Sequence, residues 1–264
     1  MNILDKIVAQ KKLEVAAQKL KVQREDLEKS PFFNRQTLSL RQFLLDENRT
    51  GIIAEFKRKS PSKGMINEMA IVEDVTKAYS QHASGVSVLT DNEFFGGRVE
   101  DLQKARIHAI PILRKDFMID EYQILEAKSI GADVILLIAA CLSVAQVKQY
   151  AGLAKLLGME VLMEVHSEEE LGHLCEDIDF VGINNRNLKT FEVDINTSLN
   201  LVGKVPAGKL AITESGISNV NTIVTLHEAG FKGFLIGENF MKETDPAIAF
   251  ADFVKLLKTQ LCKK

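Results

Sequence analysis

Five short stretches each close an apolar run with a cluster of charged or amide side chains. They are Glu55 and Lys57 in GIIAEFKRKSPSKG; Arg114, Lys115 and Asp116 in IPILRKDF; Glu164 and His166 in LMEVHSEEEL; Asn184, Asn185 and Arg186 in GINNRNL; and Glu214 and Ser215 in ITESGI. Two lysines and two glutamates brought into one small volume perturb each other's protonation. That suits acid–base chemistry, with a lysine as acid and a glutamate as base near neutral pH. The bland alternative is a set of solvated strand ends carrying surface salt bridges. For any one cluster that alternative holds its own, but five runs ending the same way favour a site.

The elements that must position these residues follow from the apolar runs themselves. GIIAEFK starts at 51, GVSVLTD at 85, IPILRKD at 110, ADVILLIA at 132, MEVLMEV at 159, FVGINNR at 180, KLAITES at 209 and GFLIGE at 233. Helix-like segments fill the gaps, among them VEDVTKAYSQHA, DEYQILEAKSI, SVAQVKQYAGLAKLLG and NVNTIVTLHEAG. Gly131, Gly158 and Gly230 fall where helix C-caps are expected. Near-continuous apolar strands imply burial on both faces, hence a parallel sheet. Eight such units predict an α/β fold, a (β/α)8 TIM barrel, with a doubly wound open sheet as the alternative. No GxGxxG follows the first strand, which counts against a dinucleotide-binding version. Residues 1–50 stand outside the repeat. Ile3, Leu4, Ile7, Val8 and Val15 sit at helical spacing, so one or two helices covering part of the barrel are expected. The whole of 1–264 then forms a single barrel domain with residues 1–50 as an N-terminal helical extension.

In a parallel barrel the strand middles are buried, and charge is expected only at the C-terminal strand ends, where the loops build a mouth. The clusters obey this rule. Alternation puts Glu55 with Lys57, Lys115 with Leu113 and Phe117, Glu164 with Leu162, and Asn184 with Arg186 on shared faces. Ser215 and Gly216 follow the seventh strand. Gly237 ends the eighth, with Glu238–Met241 as a short helix. Barrels commonly bind phosphate there through backbone N–H groups. The loop KSPSKG, with Ser60 and Lys57, could fold over the same place. Glu238 is an awkward neighbour for a dianion, so its backbone N–H is expected to be used and its side chain to point away.

Composition excludes other classes. The net charge of −3 offers no basic field for nucleic acid. No apolar run approaches the ~20 residues of a membrane span, and the charged, amphipathic start is no signal peptide. Cys141, Cys175 and Cys262 form no CxxC pair, so reduced thiols in a cytoplasmic protein are expected. The five histidines show no metal-ligand spacing, and no metal is expected.

At this point the segments IIAEFKRKSPSKG, SVLTDNEFFGG, PILRKDFMIDEYQI, ADVILLIAA, LMEVHSEEEL, GINNRNLKTFEVD, ITESGI and FLIGENFM resemble the indole-3-glycerol-phosphate synthase family of tryptophan biosynthesis. They run in order from about residue 51 to 241, and EFKRKSPSKG together with PILRKDF is highly specific. The resemblance implies a carboxy-lyase (EC 4.1.1.48). Such an enzyme closes the ring of 1-(2-carboxyphenylamino)-1-deoxyribulose 5-phosphate with loss of CO2 and water, and uses no cofactor or metal. It implies Lys115 as main general acid, Lys57 as binder of the substrate carboxylate and sharer of acid work, and Glu164 as the group that moves a proton in the dehydration. Glu55, Asn184 and Ser215 would orient these groups and the substrate hydroxyls. Arg186 would lie near the anthranilate carboxylate, and Phe95 and Phe117 would line the ring pocket. Ser60, Gly216, Gly237 and Glu238 would grip the phosphate, and Glu214 would contact substrate. Arg58, Lys59 and Lys63 would only keep a mobile loop solvated or raise the local potential. A phosphorylated small molecule is the expected partner, with no nucleic acid or membrane, and the chain is expected to act as a monofunctional monomer. The rivals are phosphoribosylanthranilate isomerase, or another ribulose-phosphate barrel, which would share the phosphate loops but not EFKRKSPSKG, and a non-enzymatic phosphate-binding barrel.

Overall fold

The computed structural model describes residues 3–188 and 190–261; Cys262, named above as a thiol, lies outside them. Eight parallel strands close a barrel: β1 (Ile52–Phe56), β2 (Gly85–Leu89), β3 (Ile112–Lys115), β4 (Val134–Ile138), β5 (Glu160–Val165), β6 (Phe180–Asn184), β7 (Leu210–Glu214) and β8 (Gly233–Ile236). Each strand pairs with its neighbour in sequence. β1 closes the ring against β8, with Ile53 opposite Leu235, and against β2, with Glu55 opposite Ser87. Closure rules out the doubly wound sheet. Between the strands, helices such as Val72–His82, Glu121–Ser129, Val144–Leu156 and Val220–Glu228 form the outer layer. Gly131, Gly158 and Gly230 adopt positive φ just beyond three of them, as the helix-cap pattern requires.

Strand alternation divides the apolar residues into two bodies. Val161, Met163 and Val165 of β5 belong to the larger core between barrel and helices, whereas Leu162 belongs to the barrel interior with Ile53, Leu113 and Ile212. These four interior residues come from alternate strands, the arrangement by which a parallel barrel fills its centre in layers. Two residues further along the same strands come Glu55, Lys115, Glu164 and Glu214. An apolar layer therefore directly supports a charged one.

The N-terminal segment has three helices rather than one or two: α1 (Ile3–Lys21), α2 (Arg24–Glu28) and α3 (Leu40–Leu45). α3 closes the N-terminal end of the barrel, its Leu40 and Leu44 packing with the interior core. Ser39 caps it, accepting from Gln42 N–H, while Glu160 at the start of β5 accepts from Ser39 Oγ and Leu40 N–H at 2.6 Å each. α1 lies at the opposite end and buries Ile7, Lys11 and Val15, one stripe at i, i+4 spacing. No helix among the described residues is long and apolar enough to cross a membrane. Cys141 and Cys175 are free.

Candidate active site

The charged layer forms the floor of a cavity of about 600 Å3 at the C-terminal mouth. Lys115 Nζ donates to Glu214 Oε2 at 2.9 Å and to Glu164 Oε2 at 3.2 Å. Lys57 Nζ donates to Glu55 Oε1 at 2.7 Å. Asn184 Nδ2 donates to Glu164 Oε1 at 3.2 Å. Burial alone would drive Lys115 toward the neutral amine, but Glu214, Glu164 and Glu55 outweigh it and hold the ammonium above its ordinary range. Burial likewise disfavours ionised Glu164, yet Lys115, His166 and the Asn184 amide keep its carboxyl below the usual range. Glu214 is the exception. Burial, with Glu164 and Glu55 nearby, outweighs Lys115 and pushes it up to about 7. The expectation that crowding would make a lysine acidic near neutrality is therefore corrected: the carboxylates outnumber the lysine they surround. Lys115 therefore stands on the cavity floor as an ammonium held between two carboxylates.

The loops around the floor supply the rest of the wall. Phe95 and Phe117 stand with ring centroids 6.0 Å apart. Ser60, Arg186, Ser215, Gly216, Gly237 and Glu238 also line the cavity, so all fourteen expected site residues meet at one mouth. Ser215 and Gly216 both have left-handed backbones (φ 66° and 78°). A Cβ on Gly216 would also come within 2.6 Å of Val193, so only glycine fits that turn without displacement. Gly237 precedes the helical turn Glu238–Met241.

Two expectations about this region need correction. The KSPSKG segment is not an open loop but a small antiparallel hairpin, Lys59–Ser60 against Gly64–Met65. Arg58 and Lys59 pin it instead of solvating it. Arg58 forks onto Asp101 and stacks 4.7 Å from the Phe56 ring centroid, and Lys59 donates to the Glu93 carbonyl at 2.8 Å. The Glu238 side chain does not point away. It sits 3.8 Å from both Lys63 and Arg186, two cations of the cavity wall that attract it.

Sequence reasoning gave no role to three other residues, His166, Gly182 and Lys11, and missed a second duty of Gly237. His166 Nδ1 lies 3.2 Å from Glu170 Oε2; its Nε2 is 3.4 Å from Glu164 Oε1, off the line of a hydrogen bond, and is left without a partner. Burial would lower its pKa, but the Glu170 hydrogen bond and the Glu164 charge raise it. Gly182 and Gly237 give clearance: a Cβ at the first would come within 2.5 Å of Glu214 Oε1, and at the second within 2.7 Å of Glu55 Oε1. Lys11, from α1, forms ion pairs with Asp91 at 2.7 Å and Asp116 at 3.0 Å, and the latter immediately follows Lys115. A lysine within an apolar helical stripe was the available signal for Lys11. Among the described residues no group of three His, Cys, Asp or Glu side chains is arranged to hold a metal ion.

A closed parallel barrel, a charged floor on an apolar layer and glycine turns after β7 and β8 together define a (β/α)8-barrel enzyme. The model of the family described as "Indole-3-glycerol phosphate synthase" matches residues 4–253. The chain is 44% identical over 259 residues to the indole-3-glycerol phosphate synthase of Bacteroides thetaiotaomicron, covering 97% of this chain and 99% of that one. It is 47% identical over 262 residues to the protein of the same name from Polaromonas sp. strain JS666, with the same coverage. The chain belongs to the indole-3-glycerol phosphate synthase family, and with it to the carboxy-lyases of tryptophan biosynthesis. Among solved structures, a tryptophan synthase alpha-subunit from Pyrococcus furiosus superposes with a TM-score of 0.60 at 17% identity, over 80% of this chain and 99% of that chain. That likeness concerns the fold alone.

Proposed function

We propose that the charged floor carries out the ring closure of 1-(2-carboxyphenylamino)-1-deoxyribulose 5-phosphate in the following way. The phosphate lies against the backbone of Gly216, Gly237 and Glu238 with Ser60 over it, where the first N–H groups of a helical turn have no carbonyl behind them. The anthranilate ring lies by Phe95 and Phe117, its carboxylate facing Lys57 and Arg186. The carbonyl oxygen then faces Lys115, which donates its proton as the ring carbon attacks. Departure of CO2 restores the aromatic ring; the hydroxyl formed at the former carbonyl carbon then leaves as water with a proton from Lys57, which shares the acid work, and Glu164 accepts the proton lost from the neighbouring carbon. Glu55 and Asn184 hold Lys57 and Glu164 in place. Ser215 takes a substrate hydroxyl, and Glu214, whose Oε2 holds Lys115 while its Oε1 is buried against Gly182, keeps that ammonium turned toward the substrate. The observation that carries this reading is Lys115 held between Glu164 and Glu214 on the cavity floor.

A phosphorylated small molecule as partner fits a mouth that combines glycine turns with Lys57, Lys63 and Arg186. Ile3, Leu4 and Ile7 of α1 line the same cavity, which supports reading residues 1–50 and the barrel as one domain. A monomer is the proposed working unit. The free thiols suit a cytoplasmic setting. The test is turnover. Indole fluorescence and CO2 should appear in equal amounts from the carboxyphenylamino substrate, and inorganic phosphate should compete with it. Isomerisation without CO2, or binding without turnover, would overturn the reading in favour of the isomerase or the binding module.

A further inference from the structure

Lys11 is an unusual lysine. It sits on α1, outside the barrel repeat, with only 4% of its surface exposed. Its ammonium pairs with Glu14 on the same helix at 2.8 Å, and it also reaches two carboxylates that belong to two different mouth loops. Asp91, just after β2, accepts at Oδ1 from the backbone N–H groups of Phe94 (2.9 Å) and Phe95 (3.2 Å) and takes Lys11 on Oδ2 at 2.7 Å. Asp116, just after β3, takes Lys11 on Oδ1 at 3.0 Å, and the same oxygen accepts from Phe117 N–H at 2.8 Å. Its other oxygen accepts from Thr90 Oγ1 at 2.6 Å and from Arg114 at 3.2 Å. The two loops thus carry the two phenylalanines of the ring pocket, and a single ammonium ties them together. One turn earlier on the same helix, Ile7 lines the cavity itself.

We infer that Lys11 is a positioning residue for substrate recognition: by clamping Asp91 to Asp116 it fixes the spacing of Phe95 and Phe117, and so the affinity of the mouth for the aromatic half of the substrate. Without the ammonium, two buried carboxylates would face each other with only Arg114, on the far oxygen of Asp116, to answer their charge. The loops would part or draw in water, and the rings would lose their register. The charge balance agrees. Burial disfavours ionised Asp116, but Lys11 and Arg114 hold its carboxyl below the usual range, whereas Asp91, more dependent on Lys11, is pushed up by burial. The phosphate turns after β7 and β8 make none of these contacts and should be spared. The inference rests on the assignment of Phe95 and Phe117 to the anthranilate ring.

The test compares the two halves of the ligand separately. In Lys11→Met the inhibition constant of anthranilate and the KM for substrate should rise about tenfold, with kcat changed far less, the split expected when binding rather than transition-state contact is lost. The inhibition constant of inorganic phosphate should stay within about twofold, a separation that general loosening of the mouth would not give. Lys11→Arg should recover most of the lost affinity. If Lys11→Met does not fold, Asp91→Asn, which keeps the acceptor for Phe94 and Phe95 but removes one charge from the clamp, should show the same split more weakly. Unchanged anthranilate affinity in the folded variant, or equal losses for anthranilate and phosphate, would overturn the inference. Phe95→Ala, measured alongside, isolates the underlying assignment: if it leaves anthranilate affinity intact, the ring binds elsewhere, whatever Lys11 does.

Discussion

The two ends of the barrel use the same side chains to opposite ends. At the N-terminal end Asp133 is fully buried, and its charge is answered on all sides. It accepts from Arg35 at 2.6 Å, from Arg106, and from the backbone N–H groups of Leu38 and Ile112 at 2.8 Å each. Glu160, beside it, is spent on capping α3. At the C-terminal end Lys115 shares its charge between two carboxylates, the buried Glu214 Oε1 and His166 Nε2 have no hydrogen-bond partner among the described residues, and a cavity opens above. A carboxylate with every lone pair satisfied is a lock. One whose lone pairs are not all claimed keeps hydrogen-bonding capacity that a small shift of the side chain can turn to a ligand. The difference lies not in residue type but in how completely the neighbours consume the hydrogen-bonding capacity.

The sharpest way to break this comparison is to remove one charge at each end. Lys115→Met should lower kcat by about 10²-fold or more, the loss typical of a missing general acid, at a smaller cost in stability than the change at Asp133, because Glu214, already pushed up to about 7, can take a proton in place of the lost ammonium. Asp133→Ala should do the reverse. It strands Arg106 and Arg35 and should cost about 3–5 kcal/mol of stability, with kcat per folded molecule retained. Denaturant unfolding and steady-state kinetics on the same preparations check both. If Asp133→Ala lowers kcat as Lys115→Met does, the two ends are not functionally separate.

Smaller changes sharpen it. Gly182→Ala places a methyl group within 2.5 Å of Glu214 Oε1 without removing any charge. It should displace Glu214 and lower kcat on the order of tenfold, since misplacement by an ångström or less is enough to slow chemistry. A normal kcat would show that Glu214 has room to spare. The least conspicuous effect is a slope. Glu214 is raised in the folded state from 4.5 to about 7. The folded protein therefore binds a proton there that the unfolded chain has released. This contribution to stability is complete below the unfolded value and is lost as pH rises through the folded one. The melting temperature of Glu214→Gln minus that of the parent should accordingly increase between about pH 4.5 and pH 7, and a flat difference would place the Glu214 titration outside that window.

Much of this was legible in the sequence because it is local. The period-2 alternation of β5 is enough to turn Leu162 and Glu164 inward and Met163 outward, and the terminal clusters are enough to say which end is the mouth. Phe95, Gly216 and Gly237 came from the family resemblance or from the expected phosphate loops, and the structure gathers them at the cavity. What could not be read depends on register across the ring. Lys115 reaches Glu214 over 99 positions, and that pairing requires knowing which layer each strand contributes. The clearance duties of Gly182 and Gly237 exist only once the facing carboxylate is placed. Lys11 sits in an apolar stripe but its partners are unknown until α1 is docked, and Arg58 and Lys59 look like loop solvation until Asp101 and the Glu93 carbonyl are found beside them.

The central claim is that the charged floor moves protons in order, Lys115 first and Glu164 later. Glu164→Gln keeps size and hydrogen bonding but cannot take a proton as a carboxylate does. In single-turnover experiments on that variant, CO2 release should precede indole fluorescence, with the gap between the two signals wider than in the parent and substrate affinity largely kept. If the two signals instead stay synchronous and slow by the same factor, Glu164 acts no later than ring closure and the proposed order is wrong.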